Sequence, residues 1–225
     1  MSRFVKFVFP TLPVISRSQF GISASQPLPD QQALRNTPVH LLAAIYASAQ
    51  PFAKFDEYLC LISAYAQSPT DQLWRMVLEL ILEQIHTPHL SVLQAGLLYL
   101  HKPPKGNQSA LADSPFVWSF LRLLVGLATS LGLVFECRPM GLPAWEKRLR
   151  RRLWWAVYSE DRWRSLLMGR PPYIRLDEWD VTDLDDQDFI VDQALLDSQA
   201  QQAGLHFQHF SRLSRIADEA QQALL

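Results

Sequence analysis

Glycine is scarce: the chain holds 8 in 225 residues, where average usage would supply roughly 16. Hairpin-rich β folds and glycine-rich phosphate loops depend on that residue for their positive-φ positions, so both are disfavoured. Cysteine is scarcer. Cys60 and Cys137 are the two present, too few for a disulfide scaffold or a cysteine-based zinc site, and they point to a reducing compartment. Neither sign of charge dominates. Lys and Arg number 21 against 22 Asp and Glu, a net charge of −1, without the basic excess of a self-sufficient nucleic-acid binder. No apolar run approaches the ~18 residues of a membrane span. The apolar stretch 1–15 is interrupted by Lys6, Pro10 and Pro13. It ends without a small-residue cleavage site, so it reads as an irregular arm packed on the domain rather than a signal peptide.

Catalytic spacings are missing too. There is no Gly-x-Ser-x-Gly, no phosphate-loop Gly-Lys-Ser/Thr and no dinucleotide glycine fingerprint. His86 and His89, with Glu83 before them, form the best metal-like cluster, but Pro88 breaks the helical geometry a ligand pair needs. Two histidines at a helix C-terminus are better read as partners of its dipole. Asn107-Gln108-Ser109 matches a glycosylation sequon by chance-level pattern. Cys137 beside Arg138 reads as a small buried hydrophobe rather than a reactive thiol. The chain is therefore expected to be no enzyme, with no catalytic, cofactor-binding or metal-ligating residue and no cofactor.

What is present is helical. Residues 1–36 carry Pro10, Pro13, Pro27 and Pro29 with little periodicity and read as an extended lead-in arm. Thr37-Pro38 reads as an N-cap and first-turn proline for a helix bearing Leu41, Leu42, Ile45 and Tyr46 on one side. A second helix is predicted over Phe55–Gln67. Ser68-Pro69-Thr70-Asp71 opens a third, to about Ile85, with Leu73, Met76, Val77, Leu80 and Ile81 on one face. A fourth covers Ser91–His101, before the loop Lys102–Asn107. A fifth is capped by Asp113, presents Val117, Phe120, Leu121, Leu124, Ala128 and Leu131, and closes at Gly132. A sixth runs from about Pro143 to Met168 and stops at Gly169-Arg170-Pro171-Pro172. A Gln- and Ala-rich helix follows from about Leu205. With no period-2 runs of useful length, this predicts an all-α array of packed helix pairs with an extended N-terminal arm.

Charge is segregated along the chain. Residues 147–175 hold nine of the 21 basic residues, while 177–197 hold nine of the 22 acidic ones and no Lys or Arg. Lys147, Arg148 and Arg150–Arg152, followed by Trp154, Trp155 and Tyr158, resemble a basic–aromatic nucleic-acid surface. The helical wheel argues otherwise. Leu149, Leu153, Ala156 and Val157 form an apolar stripe, and adjacent tryptophans are too costly to leave exposed. The favoured reading is a core helix whose charged flank is answered by the acidic segment.

At this helix a family resemblance emerges. Trp145-Glu146-Lys147-Arg148-Leu149-Arg150-Arg151-Arg152-Leu153-Trp154-Trp155 resembles the signature of the fungal-specific transcription factor domain, the middle homology region of fungal binuclear zinc-cluster activators such as the xylanolytic regulators. Tyr158, Asp161-Arg162, Ser165-Leu166 and Gly169-Arg170-Pro171 are similar to the family's following run, and Asp180-Val181 and Asp188-Phe189 to its next acidic element. Gln94-Ala95 with Leu97–Leu100, Ala128–Leu133 and Phe9–Phe20 are similar to upstream segments, with Phe9 where His is common. The resemblance implies structural roles for Arg151, Arg152, Leu153, Trp154, Trp155, Asp161, Arg162, Gly169, Arg170 and Pro171.

It further implies a helical regulatory domain over 37–203, after the 1–36 arm and before a C-terminal helix, 204–225, that reads as truncated. The implied function is regulation of RNA polymerase II transcription of metabolic genes, in the nucleus, through other regulator domains or co-regulators, with a small-metabolite effector possible and no membrane. The family's six-cysteine zinc cluster is missing. Zinc and DNA binding are thus expected of the family through an upstream module and not of this chain. Arg170 is expected to pair with Asp161, Asp180 or Asp183. The alternative is a stand-alone helical interaction scaffold that never touches a promoter.

Overall fold

The lead-in, expected to be extended, is coiled onto the body of the protein in the computed structural model. Phe4–Val8 form a π-helical turn, and Ser18–Phe20 a 3-10 turn closed by Gly21 at φ 66°. Asp30 then caps a short helix α1, Gln31–Asn36, by accepting from the Ala33 N–H at 3.1 Å. Burial explains the correction. Phe4, Phe9, Leu12, Val14, Ile15, Phe20 and Ile22 are all withdrawn from water, and short turns between the prolines let a non-periodic segment turn those side chains inward while pairing part of its backbone. The structure describes residues 1–23, 26, 28–55, 70–103, 114–190 and 198–224. Most of the helix predicted over Phe55–Gln67, with Cys60, the Ser68-Pro69 cap, the sequon 107–109 and the Asp113 cap, lies outside them.

Among the described residues six longer helices follow: α2 (Val39–Ala49), α3 (Thr70–Gln84), α4 (Leu90–Leu100), α5 (Pro115–Ser130), α6 (Ala144–Met168) and α7 (Ser198–Leu224). Among the described residues there is no strand, and the fold is all-α. Thr37 does not cap α2. Its hydroxyl donates back to Ala33 O at 2.8 Å and finishes α1, and Pro38 takes the cap position. Helix α5 starts from Ser114, with proline in its first turn, and ends as Gly132 takes φ 69°. Helix α7 begins at Ser198 rather than near Leu205. The Gln- and Ala-rich residues before Leu205 are good helix formers even without an apolar stripe to announce them.

Helix α2 packs on α3 and α4, α4 on α5, and α6 on α4, α5 and α7. The expected stripe on α6 is buried, with Leu149, Leu153, Ala156 and Val157 between 0% and 2% exposed. On α3, Trp74, Val77 and Ile81 face the core, and the indole of Trp74 meets Tyr99 edge-on. Helix α7 inverts the usual amphipathic pattern. It buries Gln208, Ser211, Ser214 and Asp218 beside Phe207, and exposes Leu205, Leu213 and Ile216.

Candidate functional site: a buried arginine network on helix α6

Between Leu149 and Arg162 the surface of α6 is covered nearly all round, so its basic residues are interior groups. Arg151 and Arg152 are 2% and 5% exposed, Asp161 0% and Arg162 1%. A buried guanidinium is tolerated only when its fork is filled with acceptors. Arg151 donates through Nε and Nη2 to both oxygens of Asp188, at 2.8 and 3.0 Å. It also donates through Nη1 to Glu136 Oε2 at 2.5 Å and Thr182 Oγ at 2.8 Å, and through Nη2 to Asp183 O. Burial alone would oppose its charge, but Asp188 and Glu136 outweigh burial and raise its pKa.

Arg152 points to the opposite seam. Its fork donates to the carbonyls of Pro13 at 3.0 Å, Ile15 at 2.8 Å and Asp188, while its plane lies near the rings of Phe9 and Phe189. It holds backbone dipoles and no direct carboxylate, so burial draws its pKa down to about 10 despite nearby Asp188. The indoles of Trp154 and Trp155 are 1% exposed and both meet Trp179, at 5.5 and 5.7 Å between centroids. Trp155 also donates to Thr182 O at 3.1 Å.

At the far end of α6, Asp161 and Arg162 clamp one short piece of backbone from both polarities. Asp161 accepts the N–H groups of Tyr173 and Ile174, each at 2.9 Å, and Arg162 donates to Ile174 O at 2.7 Å. Gly169 at φ 60° makes this return possible, with the Arg170 N–H bonded to Ser165 O. Pro171 follows on the surface and stops the helix. Arg162 also lies over Tyr158 and 3.3 Å from Asp218 Oδ1, an ion pair without hydrogen-bond alignment, and Tyr158 Oη donates to Asp218 Oδ2 at 3.0 Å. Burial pushes the Tyr158 phenol up to about 12 and raises Asp161 in spite of its two N–H donors.

Sequence reasoning offered three acids for Arg170, and each has work elsewhere: Asp161 at Tyr173 and Ile174, Asp180 at the Glu136 N–H, Asp183 at Arg215. The Arg170 guanidinium stands 5.2 Å over the ring of Trp118. Three partners escaped the sequence. Glu136 and Thr182 pair across 46 positions, a separation that leaves no local signal. Asp218 had one, because the polar series Gln208, Ser211, Ser214, Asp218 and Gln221 repeats every three or four residues along α7 and marks a buried polar face.

Elsewhere, Glu160 takes His101 at 2.8 Å and Arg164 at 2.7 Å. Burial would raise this carboxyl, but the two cations hold it at about 2. Cys137 is buried, its thiol pushed up by burial and donating to Lys147 O. His86 and His89 lie exposed on the α3–α4 turn, and among the described residues no three His, Cys, Asp or Glu side chains gather as metal ligands. No described helix is long and apolar enough to cross a membrane. An open cleft of about 700 Å³ lies between the lead-in, α1, α4 and α6, lined by Phe20, Asn36, Gln84, His89, Gln94 and Trp145 among others.

The geometry defines a class: a helical domain in which buried arginines tie the lead-in and the acidic segment to one central helix. The chain belongs to the fungal specific transcription factor domain family, whose sequence profile matches residues 1–218. It is 32% identical over 187 residues to the transcriptional activator protein DAL81 of Saccharomyces cerevisiae, covering 83% of this chain and 18% of that protein. It is 31% identical over 176 residues to an uncharacterised transcriptional regulatory protein of Schizosaccharomyces pombe, covering 77% and 24%. Over 103 residues, 46% of this chain and 11% of the relative, it is 31% identical to cutinase transcription factor 1 alpha of Fusarium vanettenii. The chain thus spans less than a quarter of the length of these relatives. No solved structure matches it significantly.

Proposed function

We propose that this chain is the regulatory domain of a fungal nuclear regulator of RNA polymerase II transcription, acting on metabolic genes. It acts by contact rather than catalysis, restraining or releasing activation through other regulator domains or co-regulators. Contact with DNA, and with zinc, belongs to a separate zinc-cluster module and not to these residues. The observation that carries this reading is membership of the transcription-factor family across residues 1–218. The clasped lead-in and acidic segment support it, because an internally locked domain has distinct closed and loosened states that a partner could bias. The 700 Å³ cleft supports a small-metabolite effector, being within the usual size range of ligand sites.

The test fuses the chain between a heterologous DNA-binding module and an activation segment in a fungal reporter strain. The wild-type domain is expected to restrain reporter output and to concentrate in the nucleus. The substitution Arg152→Met, which loosens the clasp, is expected to relieve the restraint. Equal output with and without the domain, from fusions of equal abundance, would overturn the regulatory reading and favour the stand-alone scaffold.

A further inference from the structure

Thr182 lies where the clasp meets solvent. It is exposed, yet its Oγ donates to Glu136 Oε2 at 2.6 Å and accepts from Arg151 Nη1 at 2.8 Å. The backbone on either side is extended, with Trp179 at φ −148° and Asp185 at φ −124°. Asp183, Asp185 and Asp186 follow at the first, third and fourth positions after it, Asp180 precedes it, and the run 177–197 contains no cation. No other hydroxyl among the described residues has acids at both the first and third following positions. A surface threonine on extended chain, with that charge pattern, suits an enzyme whose peptide groove is basic.

We propose that Thr182 is a phosphorylation site for an acidophilic Ser/Thr protein kinase, and that phosphorylation detaches Glu136 from the acidic segment. In the transfer, Thr182 Oγ attacks the γ-phosphorus of a nucleoside triphosphate. The new O–P bond forms as the bond to the β,γ-bridging oxygen breaks, the nucleoside diphosphate leaves, and the hydroxyl proton passes to the kinase's base. The ester oxygen then has no proton for Glu136. A group carrying about −1.5 to −2 charge now sits against that carboxylate and competes with it for Arg151. Arg138 and Arg215, which hold Asp185 at 3.1 Å and Asp183 at 2.7 Å, are the cations beside it. Glu136 also holds the Thr182 N–H, and its own N–H is held by Asp180. Its expulsion therefore removes the carboxylate's hold on Thr182, while the Asp180 N–H on Val134 O and Arg138 on Asp185 still tether the flanks to the turn after α5. The bidentate Arg151–Asp188 pair also stays in place, so the segment loosens around Thr182 between two held ends.

The experiment treats the purified chain with recombinant casein kinase II and magnesium ATP, maps phosphate by mass spectrometry, and follows amide exchange before and after. One phosphate on Thr182 is expected, with loss of incorporation in Thr182→Val and faster exchange confined to the region of 134–138 and 180–185. Because Thr182→Val removes a clasp residue, Asp185→Asn serves as a second variant. It keeps the hydroxyl and a capping side chain, and it should slow incorporation. No phosphate on native chain, or equal labelling of Thr182→Val, would overturn the site. Stoichiometric phosphate on Thr182 with unchanged exchange would overturn the unclasping.

Discussion

Replacing Arg152 by methionine keeps an unbranched apolar stem and removes the guanidinium with its donors. Three carbonyls, those of Pro13, Ile15 and Asp188, lose a charged N–H partner in a site that is 5% exposed. Each buried acceptor left unpaired costs about 1–3 kcal/mol, or roughly 3–9 together. Against this, the variant no longer buries a charge, which recovers several kcal/mol. The net loss is a few kcal/mol, up to about 5, a sizeable part of the ~5–15 kcal/mol that holds a domain folded. Urea unfolding followed by intrinsic tryptophan fluorescence and far-ultraviolet circular dichroism reads it as a lower midpoint at unchanged slope. Arg152→Lys should fall between, since a point charge replaces at most part of a planar fork. Amide exchange should rise first in residues 9–22, the segment that Arg152 anchors. A methionine variant with the wild-type midpoint would show that the seam is held by the apolar contacts of Phe9 and Ile15 alone, and would refute the reasoning.

Truncation of Trp154 or Trp155 to alanine, each 1% exposed, should destabilise by about 3–5 kcal/mol in the same assay; unchanged unfolding in both would reject their core placement. Glu160, held at about 2 against an ordinary 4.5, contributes up to roughly 3 kcal/mol that is present above about pH 4.5 and lost as pH falls towards 2. Its partner His101 has a raised pKa, so that side of the pair is present below about pH 6.5 and lost as pH rises through the raised value. Stability measured against pH should show both limbs, and Glu160→Gln should flatten the acid one. Metal analysis of the purified chain is expected to find no stoichiometric zinc, and gel shifts at physiological salt no sequence-specific duplex binding; bound zinc would place a metal site, and a specific shift would place DNA recognition, in this chain.

Helix ends were readable because proline and glycine act locally. Pro143 to Gly169 delimits α6, and the positive φ of Gly132 and Gly169 follows from chemistry those residues alone supply cheaply. The apolar stripe of α6 was readable for the same reason, and so was the burial of both tryptophans. Its charged flank was read as covered by the acidic segment, which is correct for Arg151. The other half of the covering is the lead-in, whose turns carry no period to detect, and that half buries Arg152. Arg170 shows a different limit. An arginine on a rigid turn suggested one of Asp161, Asp180 and Asp183, whereas its guanidinium stands over an aromatic face, and nothing local to residue 170 points to Trp118, which lies on another helix.

The bonds from Arg152 to Pro13 and Ile15 close loops of 139 and 137 residues. A ribosome adding roughly 5–20 residues per second leaves an interval of about 7–28 s between the first residues of the lead-in and the arginine that anchors them. During that time Phe4, Val14 and Ile15, fully sheltered in the finished protein, have no anchor on α6. The lead-in is therefore made well before its fastener, and an order of synthesis that leaves apolar side chains waiting for their anchor makes this segment a natural client for chaperones.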